Sequence, residues 1–187
     1  MHRPIRALAL AAMLGAAAAT AAVPTPAVAA SAEAIDVRAD LALKQLLAQS
    51  ETARAIADRA VAVLVFPDIV KAGFGFGGQY GEGVLQRAGA SVGYYSIASA
   101  SFGFQIGAQS YSQALFFMSE EALAYLDQVR GFEVGADASV AVVNAGKAID
   151  VNSSTLQDPI VAFAFGQQGL MAGATIEGSK ITRITPK

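Results

Sequence analysis

The 187-residue sequence has no cysteine, no tryptophan and one histidine, His2. Without a thiol there can be no disulfide, no thiolate nucleophile and no cysteine-ligated metal. His2 stands in a leader-like segment, so the body of the chain has no imidazole, which excludes histidine-centred triads and ordinary zinc sites. Charge is scarce too, at 15% Asp, Glu, Lys and Arg, with a slight acidic balance of −2. No cluster of Lys and Arg suited to neutralising phosphates is present, so nucleic acid is not an expected partner.

The first 29 residues read as a secretory signal peptide. Arg3 and Arg6 form a basic start, Ala7 to Ala19 an apolar run, and Ala27-Val28-Ala29 a small-x-small cleavage signal before Ala30. That run is short and alanine-rich for a membrane span, an uncleaved anchor being the alternative. No twin arginine is present, so the general secretory route is expected. The expected product is exported, periplasmic or extracellular, and with no cysteine after the cut it cannot carry a lipoprotein anchor. Losing Arg3 and Arg6 moves the formal charge from −2 to −4. Residues 30–187 are expected to form one domain with a core over about 40–182.

The most informative stretch is 71 to 83, Lys-Ala-Gly-Phe-Gly-Phe-Gly-Gly-Gln-Tyr-Gly-Glu-Gly, where glycine alternates with aromatic residues and Glu82 lies between Gly81 and Gly83. In an extended chain Phe74, Phe76 and Tyr80 share one face, and Gly73, Gly75, Gly77 and Gly81 the other. Repeated glycine in a strand marks curvature, or a surface that another backbone or a ligand approaches closely. Gly73, Gly75 and Gly78 also match the spacing of a dinucleotide fingerprint. No helix start follows them, so nucleotide binding is not expected.

Residues 33–48 predict an amphipathic helix with Ile35, Ala39, Leu43, Leu46 and Leu47 on one stripe, and Asp36, Asp40 and Lys44 on another. The spacing predicts an Asp40–Lys44 pair. Ser50 restarts a short helix through Ala60. Val61 to Phe66 predicts a buried strand ended by a turn at Pro67-Asp68, followed by short strands at 84–87, 94–97, 101–109 and 111–118 in an antiparallel meander. Ser119 caps a helix holding Leu123 and Leu126. Further strands are expected at 132–143, 160–165 and 170–184, the last broken near Gly178, with a loop at 144–158. The predicted fold class is α+β: two N-terminal helices, then a strongly twisted antiparallel sheet able to close into a partial barrel, with one inserted helix.

Several ordered blocks resemble the SYLF domain family. They are Val65-Phe66-Pro67, Lys71 to Gly83, Ala100 to Ala108, Phe116-Phe117-Met118, Gly135 to Val140, and Gly169 to Gly173 with Glu177-Gly178. The resemblance spans about residues 40–182. It implies a non-catalytic lipid-binding module without cofactor, whose eukaryotic relatives bind phosphoinositide membranes and, beside an Src-homology domain, contact actin. An exported chain meets neither actin nor phosphoinositides, and the first helix lacks a basic face, so lipid or membrane binding is the expectation and actin binding is not. No particular protein partner is implied.

Three acids in apolar or glycine-rich surroundings, Glu82, Asp137 and Glu177, are candidates for a polar cluster, each at an acidic position of a SYLF block. Buried, they would need hydrogen bonds or a cation. Lys71 is the basic candidate that the family block suggests, and Arg87 follows Glu82 on the same strand. The lipid-binding candidates are Lys71, Gly73, Phe74, Gly75, Phe76, Gly77, Arg87, Phe102 and Phe104, with the aromatic rows either filling the core or lining an apolar slot. Other uses of the acids are backbone pairing, a hard-cation site or paired-carboxylate hydrolysis. No catalytic residue or metal ligand is expected. An envelope protein that binds another protein is the alternative function.

Overall fold

The apolar runs at 62–66 and 160–165 have no polar alternation, the signature of strands covered on both faces. The computed structural model shows this arrangement and describes residues 30–127, 131–133, 140–144, 158–169 and 178–187. The side chains of 74–76, 101–106, 127, 132, 142–144 and 169 are outside that description.

Helix α1 (Ala32–Gln49) is capped by Ser31, whose hydroxyl accepts the Ala34 N–H at 3.3 Å. Ser50 ends it and caps α2 (Glu51–Ala57), accepting the Ala53 N–H at 3.1 Å. Ile35, Ala39 and Leu46 of the predicted stripe are buried on the sheet and Leu43 and Leu47 partly so, with Ala42 buried beside them. Ile35 and Leu46 contribute about 1.5–3 kcal/mol each by burial. The polar stripe differs from expectation. Asp40 accepts the Gln86 side-chain amide at 2.6 Å, and Asp36 accepts the Ser91 and Tyr94 hydroxyls at 2.9 and 3.0 Å. A carboxylate held against a sheet gains more from fixed donors than from a solvated lysine. These acids therefore anchor α1 on the end of a hairpin.

That hairpin is the body of the molecule. β1 (Ala62–Arg87) and β2 (Ala90–Phe117) pair antiparallel from Ala62↔Phe117 to Arg87↔Ala90. The predicted meander of short strands is thus one pair of long ones. At the usual rise, 26 residues would reach about 85 Å if straight. A domain of this size cannot hold such a strand flat, and the register shifts at Phe66/Ile69, Phe74/Phe76 and Leu85/Gln86 bend it. Pro67-Asp68 is the first of these bulges, not the expected turn. A proline gives up its ladder N–H without loss there, and its carbonyl accepts the Ser112 hydroxyl at 2.6 Å.

The bend folds β1 over itself. A Cβ at Gly83 would sit 2.4 Å from the Val65 carbonyl oxygen and 2.6 Å from the Phe66 ring, and one at Gly81 2.9 Å from the Asp68 carbonyl oxygen. The close approach implied by the glycine rhythm is, at these two positions, the strand's own earlier half.

The turn between the strands has only two residues, Ala88 and Gly89, at φ 50° and 77°. Both being positive matches the hairpin turn whose twist suits the flanking strands. Ala88 carries the strain of a Cβ in that region. Ala88→Gly should therefore raise stability by about 1 kcal/mol, measured by chemical denaturation.

After Ser119, which accepts the Ala122 N–H, come α3 (Glu120–Ala124) and a 3₁₀ turn (Tyr125–Asp127). The remaining strands are β3 (Phe132–Glu133), β4 (Val140–Asn144), β5 (Ile160–Gly169) and β6 (Lys180–Ile184). β2 is the common partner of β1, β5 and β6: β6 pairs with 94–98 and β5 with 109–117. β3 extends β6, and β4 runs parallel to β5, so the sheet is mixed and not purely antiparallel. The parallel pair requires a crossover between β4 and β5, which a meander does not contain. The expected loop at 144–158 and the 170–177 part of the last expected strand fall mainly outside the described residues.

The six strands among the described residues belong to a sheet that curls into a half-barrel with a core on each face. The outer face packs Val65, Val84, Ala114, Phe116, Val161 and Phe163 under α1 and α2, with Phe116 and Phe163 edge-to-face at 5.6 Å. The inner face packs Leu64, Phe66, Ile69, Ile97, Leu115, Phe117 and Ile160 with α3 and the 3₁₀ turn.

Candidate functional site

The inner face is not uniformly apolar. Ile69 pairs with Tyr111 and Lys71 with Gln109, and directly opposed residues of an antiparallel pair project from the same face. Gln113, two residues beyond Tyr111, lies opposite Ala164 of β5 and shares that face. A polar seam therefore runs through the inner core, with Lys71 8%, Gln109 3% and Gln113 0% exposed.

Part of the seam is paired. Tyr111 donates its hydroxyl to the Gln79 Oε1 at 2.7 Å, and the Gln79 amide donates to the Ser179 hydroxyl at 2.8 Å. Burial pushes the Tyr111 phenol up to about 12. The folded state therefore keeps that proton where the unfolded chain, near 10, releases it, so this stability is complete below about pH 10 and falls as pH rises toward 12. Alkaline denaturation of Tyr111→Phe should lose that part of the slope.

The other part is unpaired. Both amide atoms of Gln109 and both of Gln113 are buried without a hydrogen-bond partner, and Lys71 has no carboxylate partner among the described ion pairs. Buried amides are almost always satisfied, and buried ammonium groups are normally paired. The sequence signal for this seam was phase: the glutamines sit at odd positions with Tyr111, Leu115 and Phe117, the set that faces the core.

The other candidates separate. Arg87 pairs with Glu120 on α3, away from Lys71. Glu82 accepts the Tyr80 hydroxyl at 2.9 Å and the Ala30 backbone N–H at 3.1 Å, and it meets neither Lys71 nor Arg87 in an ion pair. Burial, and then Glu82, raises the Tyr80 phenol above its ordinary value. Asp137 and Glu177 lie outside the described residues, as do the side chains of Phe74, Phe76, Phe102 and Phe104. By backbone register Phe76 is opposite Phe102, Gly77 opposite Ser101, Gly73 opposite Gly107 and Phe74 opposite Ile106. Gly75 and Phe104 fall within the register shift between Phe74 and Phe76. These rows continue the same hairpin arms beyond Lys71 and Gln109.

On the outer face a groove of about 350 Å³ lies between α1 and the Pro67-Asp68 bulge. Arg38 bridges it to Asp68 at 3.1 Å, and Ser110, Ser112 and Gln168 line its floor. Its lip is apolar: Leu41 is 63% exposed, and Val37, one turn away, 55%. Among the described residues no helix is long and apolar enough to cross a membrane, and no three acidic or histidine side chains gather to hold a metal.

The fold defines a class, a helix-covered α+β half-barrel with polar side chains inside its inner core. Residues 98–185 match the family model Ysc84, described as Las17-binding protein actin regulator, and over this stretch the SYLF resemblance holds. The blocks from Val65 to Gly83 lie ahead of the match, in β1. No curated protein matches the chain.

Proposed function

We propose that this chain is a non-catalytic lipid-binding protein of the cell envelope, and that the seam of Lys71, Gln109 and Gln113 receives the head of an acidic lipid. The observation that carries this reading is the buried pair of unsatisfied glutamine amides beside Lys71, which has no carboxylate partner among the described residues. A phosphate or carboxylate head accepts hydrogen bonds from both amides and carries a charge opposite to that of Lys71, which turns the cost of burying the amides into affinity. The glycine and phenylalanine rows from Gly73 to Gly77, with Phe102 and Phe104, continue the same strands and suit an acyl chain. The family description names an actin regulator, but a chain exported by the expected signal peptide would not meet actin, so only the binding character of the family is carried over.

The test is native mass spectrometry with lipid extraction on protein purified from its own envelope fraction. Near-stoichiometric phospholipid or fatty acid is the expected result. A lipid-free protein that also ignores liposomes would overturn the reading and favour the second one. In that reading the exposed Val37 and Leu41 beside the groove contact another envelope protein. Of the three acids considered for hydrolysis, Glu82 has both oxygens engaged, by Tyr80 and Ala30, and Asp137 and Glu177 lie outside the described residues.

A further inference from the structure

Glu82 lies midway along β1, yet one of its two carboxylate oxygens is used at the start of α1. Oε2 lies 3.1 Å from the backbone nitrogen of Ala30, while Oε1 accepts the Tyr80 hydroxyl at 2.9 Å. Ala30 is itself held in place: it is partly buried, packs against the outer core, and precedes the Ser31 cap. A full carboxylate is thus aimed at one main-chain nitrogen, and in the sequence that nitrogen follows directly on Ala27-Val28-Ala29.

We propose that Glu82 and Tyr80 form a receptor for the α-ammonium group created when the chain is cut between Ala29 and Ala30. The cut is a hydrolysis by a peptidase that reads small residues at the first and third positions before the bond. Water adds across the amide and the C–N bond breaks. Ala29 departs with the new carboxylate, and Ala30 keeps the nitrogen as an ammonium. The hydrogen bond from a neutral N–H to the Glu82 carboxylate becomes an ammonium–carboxylate pair in which both partners are charged.

The location calls for such a partner. An ammonium just ahead of a helix start faces the positive end of the α1 dipole and is disfavoured there. Glu82 cancels that repulsion from the sheet side, with Glu33 in the first turn of α1 adding negative charge. Processing then tightens the hold of α1 on β1, the pairing that closes the outer core. This inference shares the export premise of the proposed function and is independent of any lipid.

The full chain is produced in an exporting host, and the intact mass of the purified product fixes its first residue. Its α-amine is then acetylated selectively near neutral pH, and thermal midpoints are compared for the native protein and for Glu82→Gln. A product that begins at Ala30 is expected, with acetylation lowering the midpoint by about 2–4 °C and having little effect in the Glu82→Gln protein. An uncut product overturns the proposal together with the export premise, whereas a product cut elsewhere overturns the receptor and leaves export standing. A product starting at Ala30 whose midpoint is indifferent to acetylation overturns the receptor alone. That comparison stands even if Glu82→Gln fails to fold.

Discussion

Gly83→Ala is expected to be the most damaging glycine-to-alanine change among the described residues. Its new Cβ would lie 2.4 Å from the Val65 carbonyl oxygen and 2.6 Å from the Phe66 ring, both residues fully buried in the first half of β1. A flexible side chain could move aside, but a carbonyl in the β1–β2 ladder cannot shift without disturbing the pairing of Val65 with Ala114. Overpacking of this kind costs about 3 kcal/mol or more. For a chain of this length the midpoint should fall by about 6–12 °C. Gly78→Ala, whose closest contact would be 3.3 Å, is the control and should change little. If Gly83→Ala melts with the control, β1 does not cross itself as tightly as described.

Gln113→Met is expected to act in the opposite sense. Gln113 is fully buried with neither amide atom satisfied, so a side chain of similar shape without polar atoms should stabilise the lipid-free protein by about 1–3 kcal/mol. The same change should reduce the lipid recovered with the protein, because it removes part of the proposed head site. Stability and binding would then separate in one variant, as expected where polar groups are kept for a ligand and not for the fold. A destabilised Gln113→Met that retained its lipid would show that the amide serves the fold. The measurements are denaturation of delipidated protein and lipid extraction of the native preparation.

The helices were legible because a 3.6-residue stripe survives in the sequence: Ile35, Ala39 and Leu46 point inward as their spacing requires. The crossing of β1 was legible in part, since Gly81 and Gly83 announced a close approach without naming the neighbour. Strand lengths were not. Pro67-Asp68 and the small residues near Ser99 resemble strand ends by propensity, and only the continuous pairing with the opposite strand carries the ladder through them. Asp36 and Asp40 looked like a solvated stripe because nothing in a helix pattern reveals that Ser91, Tyr94 and Gln86 stand opposite. The parallel β4–β5 pair depends on contacts distant in sequence, beyond any local period. Of the site, Lys71 came from a family block; Gln109 and Gln113 had no motif, and their meaning depends on the partners they lack.

The central position of β2 also sets the order in which the domain can be completed. β2 ends at Phe117, whereas β5 begins at Ile160 and β6 at Lys180. On a growing chain the hairpin can close by local zippering through the two-residue turn, but the far edge of β2 then waits for strands not yet made. An open edge of such length is a template for pairing with other chains. Late arrival of β5 and β6 makes folding slow in the way that long-range pairing imposes, and it makes truncation before Ile160 a route to aggregation, not to a smaller soluble domain.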